Sequence, residues 1–178
     1  MLIVINGDFD TWTNATTPGT WSRSLGTGAS VNRESTDKYG GGYSARFDMP
    51  VGATSGNVYQ TIAMVAGAAA NLSIWYKNAA GYPLELRLFN SALNVFLKSD
   101  GTWQASSNSI ILPDSSGAWT SYARAFTAHA SYTSYIIRVG KYTTGDMGGL
   151  SFYLDNIVIM QGNPVPIMAA NYLRRRRS

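Results

Sequence analysis

Cysteine is absent from the 178 residues, and histidine occurs once, as His129. The absence of cysteine excludes disulfide frameworks, cysteine-type zinc sites and thiol nucleophiles. Charged residues are scarce at 13%, which with 45% hydrophobic residues marks a globular chain. No apolar run approaches the roughly 18 residues needed to cross a bilayer, so no membrane association is expected. The opening MLIVINGDFD has no basic n-region and does not read as a secretory signal.

Catalytic signatures are missing too. There is no P-loop, dinucleotide fingerprint or metal-hydrolase motif. His129 lies in AFTAHASYT without the acid and serine pattern that a His-based nucleophile system uses. A lone loop histidine reads as solvent-exposed and idle. Glycosidases need two carboxylates facing one bond, and neither Glu34 nor Glu85 has an evident partner. The expectation is a protein that is not an enzyme and requires no cofactor. Cations number 14 against 10 anions, but four of them are Arg174, Arg175, Arg176 and Arg177. Setting those aside leaves a neutral body, 10 against 10. Nucleic-acid binding, which wants a basic face interleaved with aromatics, is not expected.

What the chain does hold is strand and turn material: 18 Gly, 11 Tyr and five Trp. NLSIWYK alternates Leu72, Ile74 and Tyr76 with Ser73, Trp75 and Lys77, and LELRLFN alternates Leu84, Leu86 and Leu88 with Glu85, Arg87 and Phe89. YSARFDM sets Tyr43, Ala45 and Phe47 against Ser44 and Arg46; NVYQTIAMV sets Val58, Gln60, Ile62 and Met64 against Tyr59 and Thr61. AWTSYARAFTA, SYIIRVGKY and LSFYLDNIVIM continue the period of two. Turn signals separate them, among them Gly40-Gly41-Gly42, Asp100-Gly101 and Ser115-Ser116-Gly117. AMVAGAAAN, the one helix-like stretch, reads as a strand end and a turn. The pattern predicts about eight to ten antiparallel strands in an all-β sandwich or barrel. It stops after Gly162, giving a domain over 1–162 and an extended C-terminal arm over 163–178.

The order of motifs resembles the jelly-roll carbohydrate-binding modules attached to glycosidases. The likeness rests on NGDFDTW, the Gly-rich turn into YSARFDM, VYQTI, LSIWYK, AWTSYARAFTA and FYLDNIVI, and spans Leu2 to Gln161. It implies an antiparallel jelly-roll β-sandwich in which LIVINGDFDTW lies beside the closing SFYLDNIVIMQG. It also implies a structural calcium held by an acidic residue of the opening motif and the Asp of the closing strand, here Asp10 and Asp155. The family often has Glu where this chain has the shorter Asp10, and calcium wants six to eight oxygens. The other reading is that both carboxylates cap turns or accept backbone N–H bonds. The opening alone is similar to phage virion proteins, of tail and head, which often begin with an apolar stretch, NGDF and a Trp.

For a glycan, aromatic platforms and fixed polar groups are needed. Arg46, Trp75, Glu85, Arg87 and Arg138 stand opposite the Leu/Ile core positions and would form one polar sheet face if their strands neighbour one another. Gln60 joins them at the family-like Gln position, although alternation puts it with Val58 and Ile62. A solvated face of ordinary Arg/Glu pairs fits the same residues. Trp21 and Trp119 read as core plugs. In the arm, Tyr172 and Leu173 supply apolar anchors and Arg174, Arg175, Arg176 and Arg177 match acidic groups on a neighbouring subunit. Together these features predict a phage virion structural protein, a capsid decoration protein of the head that bridges shell or other virion proteins. It would be assembled in the host cytoplasm, homo-oligomeric and able to adhere to glycans. The alternative is a carbohydrate-binding module, stand-alone or from a secreted glycoside hydrolase, acting outside the cell.

Overall fold

A computed structural model describes residues 1–79, 81–142 and 149–162; the expected arm, with Tyr172, Leu173 and Arg174 to Arg177, lies outside the described residues. The strands begin with β1 (Trp12–Asn14), β2 (Thr17–Pro18), β3 (Ser22–Leu25), β4 (Ser30–Glu34) and β5 (Ser44–Asp48). The middle of the chain gives β6 (Gly56–Ala63), β7 (Ala69–Lys77), β8 (Glu85–Asn90), β9 (Val95–Leu97), β10 (Trp103–Gln104) and β11 (Ile110–Ile111). Three long strands follow: β12 (Thr120–Thr127), β13 (Ser134–Lys141) and β14 (Ser151–Gln161). Among the described residues there is no helix, and AMVAGAAAN does divide into the end of β6, a turn and the start of β7.

Two antiparallel sheets make the jelly-roll sandwich. One has five strands in the order β12-β7-β14-β5-β4; the other has seven, in the order β10-β9-β8-β13-β6-β3 with β11 also on β8. The alternation in the sequence decides which face turns inward. Leu72, Ile74 and Tyr76 of β7 are buried, as are Leu86 and Leu88 of β8, Ile137 and Val139 of β13, and Val58 and Ile62 of β6. Phe47 and Phe152, register partners on β5 and β14, stack with ring centroids 4.4 Å apart. Trp21 is a core plug as expected, buried and stacked on Phe9. Trp119 is not: it is half-buried on the outside of the five-stranded sheet, its indole N–H donating to Asp37 Oδ1 at 3.0 Å.

The opening segment runs along β14, as the two motifs predicted. Ile3 N donates to Ile159 O and Ile157 N to Gly7 O, both at 2.8 Å. Asn6 and Gly7 of NGDFD have structural tasks there. Asn6 takes the left-handed conformation and its side chain bonds Thr11 N, Thr11 O and Gly19 O, closing the turn. Gly7 must be glycine, since a Cβ there would sit 1.8 Å from Ile157 O. Opposite it, β14 carries a bulge between Asp155 and Val158, with Asn156 at φ 49°.

Candidate functional site

The outer face of the five-stranded sheet carries Arg46 and Trp75, and its groups are engaged with one another. The loop after β4 lies over it. Tyr39 stacks on Trp75 with centroids 3.5 Å apart and 11° between planes, so the ring expected as a sugar platform is occupied by the chain itself. Two carboxylates fasten this loop. Asp155, fully buried, accepts from Tyr39 N at 2.9 Å and Gly40 N at 3.0 Å; Asp10 accepts from Gly42 N at 2.6 Å and Tyr43 N at 3.1 Å. Gly41, at φ +63°, permits this approach, because a Cβ would lie 2.7 Å from both Asp10 oxygens. Lys77 and Asp37 pair beside it, and Arg46 Nε donates to Asp48 Oδ1 at 2.7 Å.

That arrangement bears directly on the calcium implied by the family. Asp10 and Asp155 do meet on one loop, but four backbone N–H groups point at them where a cation would need oxygens. Among the described residues no group of three or more His, Cys, Asp or Glu side chains is placed to hold a metal. The residues fit an N–H-capped loop better than a calcium site.

The other outer face is different. Register places Arg138 of β13 between Arg87 of β8 and Tyr59 of β6, with Phe89 facing both Ile136 and Phe96. The Arg138 guanidinium lies over three rings, 5.2 Å from the Tyr59 centroid, 5.6 Å from Phe89 and 5.8 Å from Tyr142. Arg87 sits 4.8 Å from the Tyr142 centroid, donates from Nε to Ser109 Oγ at 2.7 Å and reaches Glu85 Oε2 at 3.5 Å. Phe89 and Phe96 stack at 5.1 Å. Burial pushes the Tyr142 hydroxyl well above its usual range against the opposing pull of Arg138 and Arg87, so it stays a neutral O–H. That hydroxyl, Arg138 Nε and Asn57 Oδ1 are shielded from solvent and have no hydrogen-bond partner among the described residues.

The six residues expected to bind a glycan therefore divide. Glu85, Arg87 and Arg138 come together; Arg46 and Trp75 belong to the opposite sheet. Gln60 is a correction: it is buried, and its amide accepts from Ile5 N and donates to Ile5 O, both at 3.0 Å, and to Thr20 O at 3.1 Å. Alternation had placed it with Val58 and Ile62, and that inward phase is the one observed. Tyr59, Phe89, Phe96, Tyr142 and Ser109 were not expected at the site. Their signal was weak: Tyr59 and Phe89 fall on the outward phase of their strands, but only the pairing of β13 with both β6 and β8 unites them. His129 is half-buried in a loop, stacked on Tyr132 at 4.2 Å and edge-on to Trp103, rather than free in solvent.

No family model and no curated protein matches the sequence. Solved structures do share its fold. A family 61 carbohydrate-binding module, solved with β-1,4-galactotriose, is 15% identical with a TM-score of 0.59, and the match covers 91% of this chain and 99% of that one. The enzymatically active domain of tailspike protein 4 of bacteriophage CBA120 is 20% identical with a TM-score of 0.56; the match covers 89% of this chain but only 21% of the tailspike chain. A Stig cyclase from Fischerella sp. TAU is 13% identical with a TM-score of 0.63, over 91% of this chain and 98% of that chain. The shared fold is that of the jelly-roll carbohydrate-binding modules.

Proposed function

We propose that this protein is a non-enzymatic, glycan-binding component of a bacteriophage particle, with its sugar site on the outer face of the seven-stranded sheet. The observation that carries the reading is the convergence there of Tyr59, Phe89 and Tyr142 with Arg87, Arg138 and Glu85. Aromatic faces suit the C–H faces of sugar rings, and the guanidinium groups suit their hydroxyls. Glu85 is the one carboxylate on the described strands of that sheet, and hydrolysis of a glycosidic bond would call for two. A glycan array and an insoluble-polysaccharide pull-down test it, comparing the full chain with one ending at Gly162. Saturable retention by both forms is expected. Absence of retention across a broad panel would overturn the sugar site.

The particle half of the reading is supported by the NGDF-and-Trp opening and by the tailspike likeness. On it the protein sits at the virion surface as a head decoration protein, held to shell or other virion proteins through residues 163–178. Co-sedimentation with phage particles should be lost on deleting those residues; unchanged attachment would refute the arm. The same two chains, compared by sedimentation velocity, test the expected homo-oligomer. The module likeness favours a second reading, a carbohydrate-binding module working outside the cell. It predicts retention on polysaccharide and no particle attachment by either form.

A further inference from the structure

We infer that the glycan bound at this face is acidic, and that Arg138 together with Arg87 receives the carboxylate of a uronic acid unit; this rests on the sugar-site reading above. Arg87 and Arg138 are direct register partners on β8 and β13, so two cations stand opposite each other on one face. Like charges directly opposed across an antiparallel pair destabilise it. Among the described residues one of the two has a compensating anion: Arg87 reaches Glu85, whose side chain is itself almost wholly buried. Among the described residues no carboxylate lies within ion-pair distance of Arg138 and no acceptor receives a hydrogen bond from it, while its Nε is shut away from solvent.

Three rings fix that guanidinium, so its planar fork is held in place before any ligand arrives. Beside both arginines stands the neutral Tyr142 hydroxyl, which has no hydrogen-bond partner among the described residues. A carboxylate is the acceptor that satisfies this set, because a guanidinium fork binds it through two parallel bonds and its charge offsets the arginine excess. A neutral sugar brings hydroxyls to the same donors but leaves the charge of Arg138 without a counter-charge.

The test measures affinity for polygalacturonate, alginate and hyaluronate, each beside its carboxyl-reduced form at the same ionic strength, with dextran sulfate beside dextran. At least one uronate polymer should bind about tenfold or more tightly than its reduced form, the difference expected for a charge-assisted pair. Dextran sulfate should not match it. Arg138→Gln should remove the preference while leaving the unfolding midpoint in place. Competition of the wild-type protein by free galacturonate against free galactose gives a readout that needs no variant. Equal affinity for acidic and reduced forms would overturn the inference and leave the sugar reading standing. Binding to neither form of any polymer would overturn both. Equal binding of the sulfated polymer would show general attraction of anions and overturn the carboxylate assignment.

Discussion

The amide of Gln60 ties the N-terminal segment to β6, holding Ile5 by both its N–H and its carbonyl and reaching Thr20 as well. Gln60→Ala therefore strands several polar groups at once and should cost about 1–3 kcal/mol in urea unfolding, with polysaccharide retention unchanged. Loss of retention without loss of stability would return Gln60 to the binding site. Glu34 offers a second residue-scale test. Hydrogen bonds from the Thr36 hydroxyl and backbone N–H hold its carboxyl down from 4.5 to about 2. A lowered folded-state pKa stabilises the fold above the unfolded value and is lost as pH falls through the folded one. The stability gap between wild type and Glu34→Gln should thus be full at pH 7 and close between about 4.5 and 2. A gap independent of pH in urea titrations would show that Glu34 acts by shape rather than charge. At this scale alternation was a reliable guide: it fixed the inward phase of Gln60, and the family-like position misled.

The loop joining β4 to β5 is the element whose role was least legible. Its triple glycine announces a turn, but nothing local shows that the turn folds over a sheet, because the acceptors that hold it are distant in the chain: Asp155 is 116 residues from Tyr39. The sequence does bring both carboxylates forward, through their matching motifs, and leaves open whether they hold calcium or N–H groups. Hydrogen bonds to a charged acceptor are the stronger kind, and a buried carboxylate leaves its donors with no water to turn to. Asp155→Ala should therefore cost about 3 kcal/mol, and Asp10→Ala, at an exposed position, about 1 kcal/mol. Adding EDTA or excess calcium should leave the wild-type unfolding midpoint unmoved. A rise in that midpoint with calcium, lost in Asp10→Ala, would place a cation between the two carboxylates after all.

At the scale of the molecule the two outer faces are unequal, and that asymmetry could not be read from strand patterns. Alternation put Trp75 with Lys77 and Arg87 with Phe89 on the phase opposite the core positions, but it cannot say which outward faces share a sheet. Long-range pairing decides this: β7 joins β14 and β12, while β8 joins β13. One face is then covered by the chain's own loop, with Trp75 under Tyr39; on the other, Arg138 Nε and the Tyr142 hydroxyl have no hydrogen-bond partner among the described residues. A residue can belong to the fold or to the ligand, and the two faces predict opposite outcomes. Trp75→Ala should lower stability by about 1–3 kcal/mol through lost stacking and burial, and leave glycan retention within about twofold. Tyr59→Ala removes a ring that steadies Arg138, so it should weaken retention about five- to tenfold at nearly constant stability. Affinity electrophoresis run beside urea unfolding on the same two variants separates the cases. If Trp75→Ala abolishes retention while Tyr59→Ala does not, the loop must lift off to bind sugar, and the site moves to the five-stranded sheet.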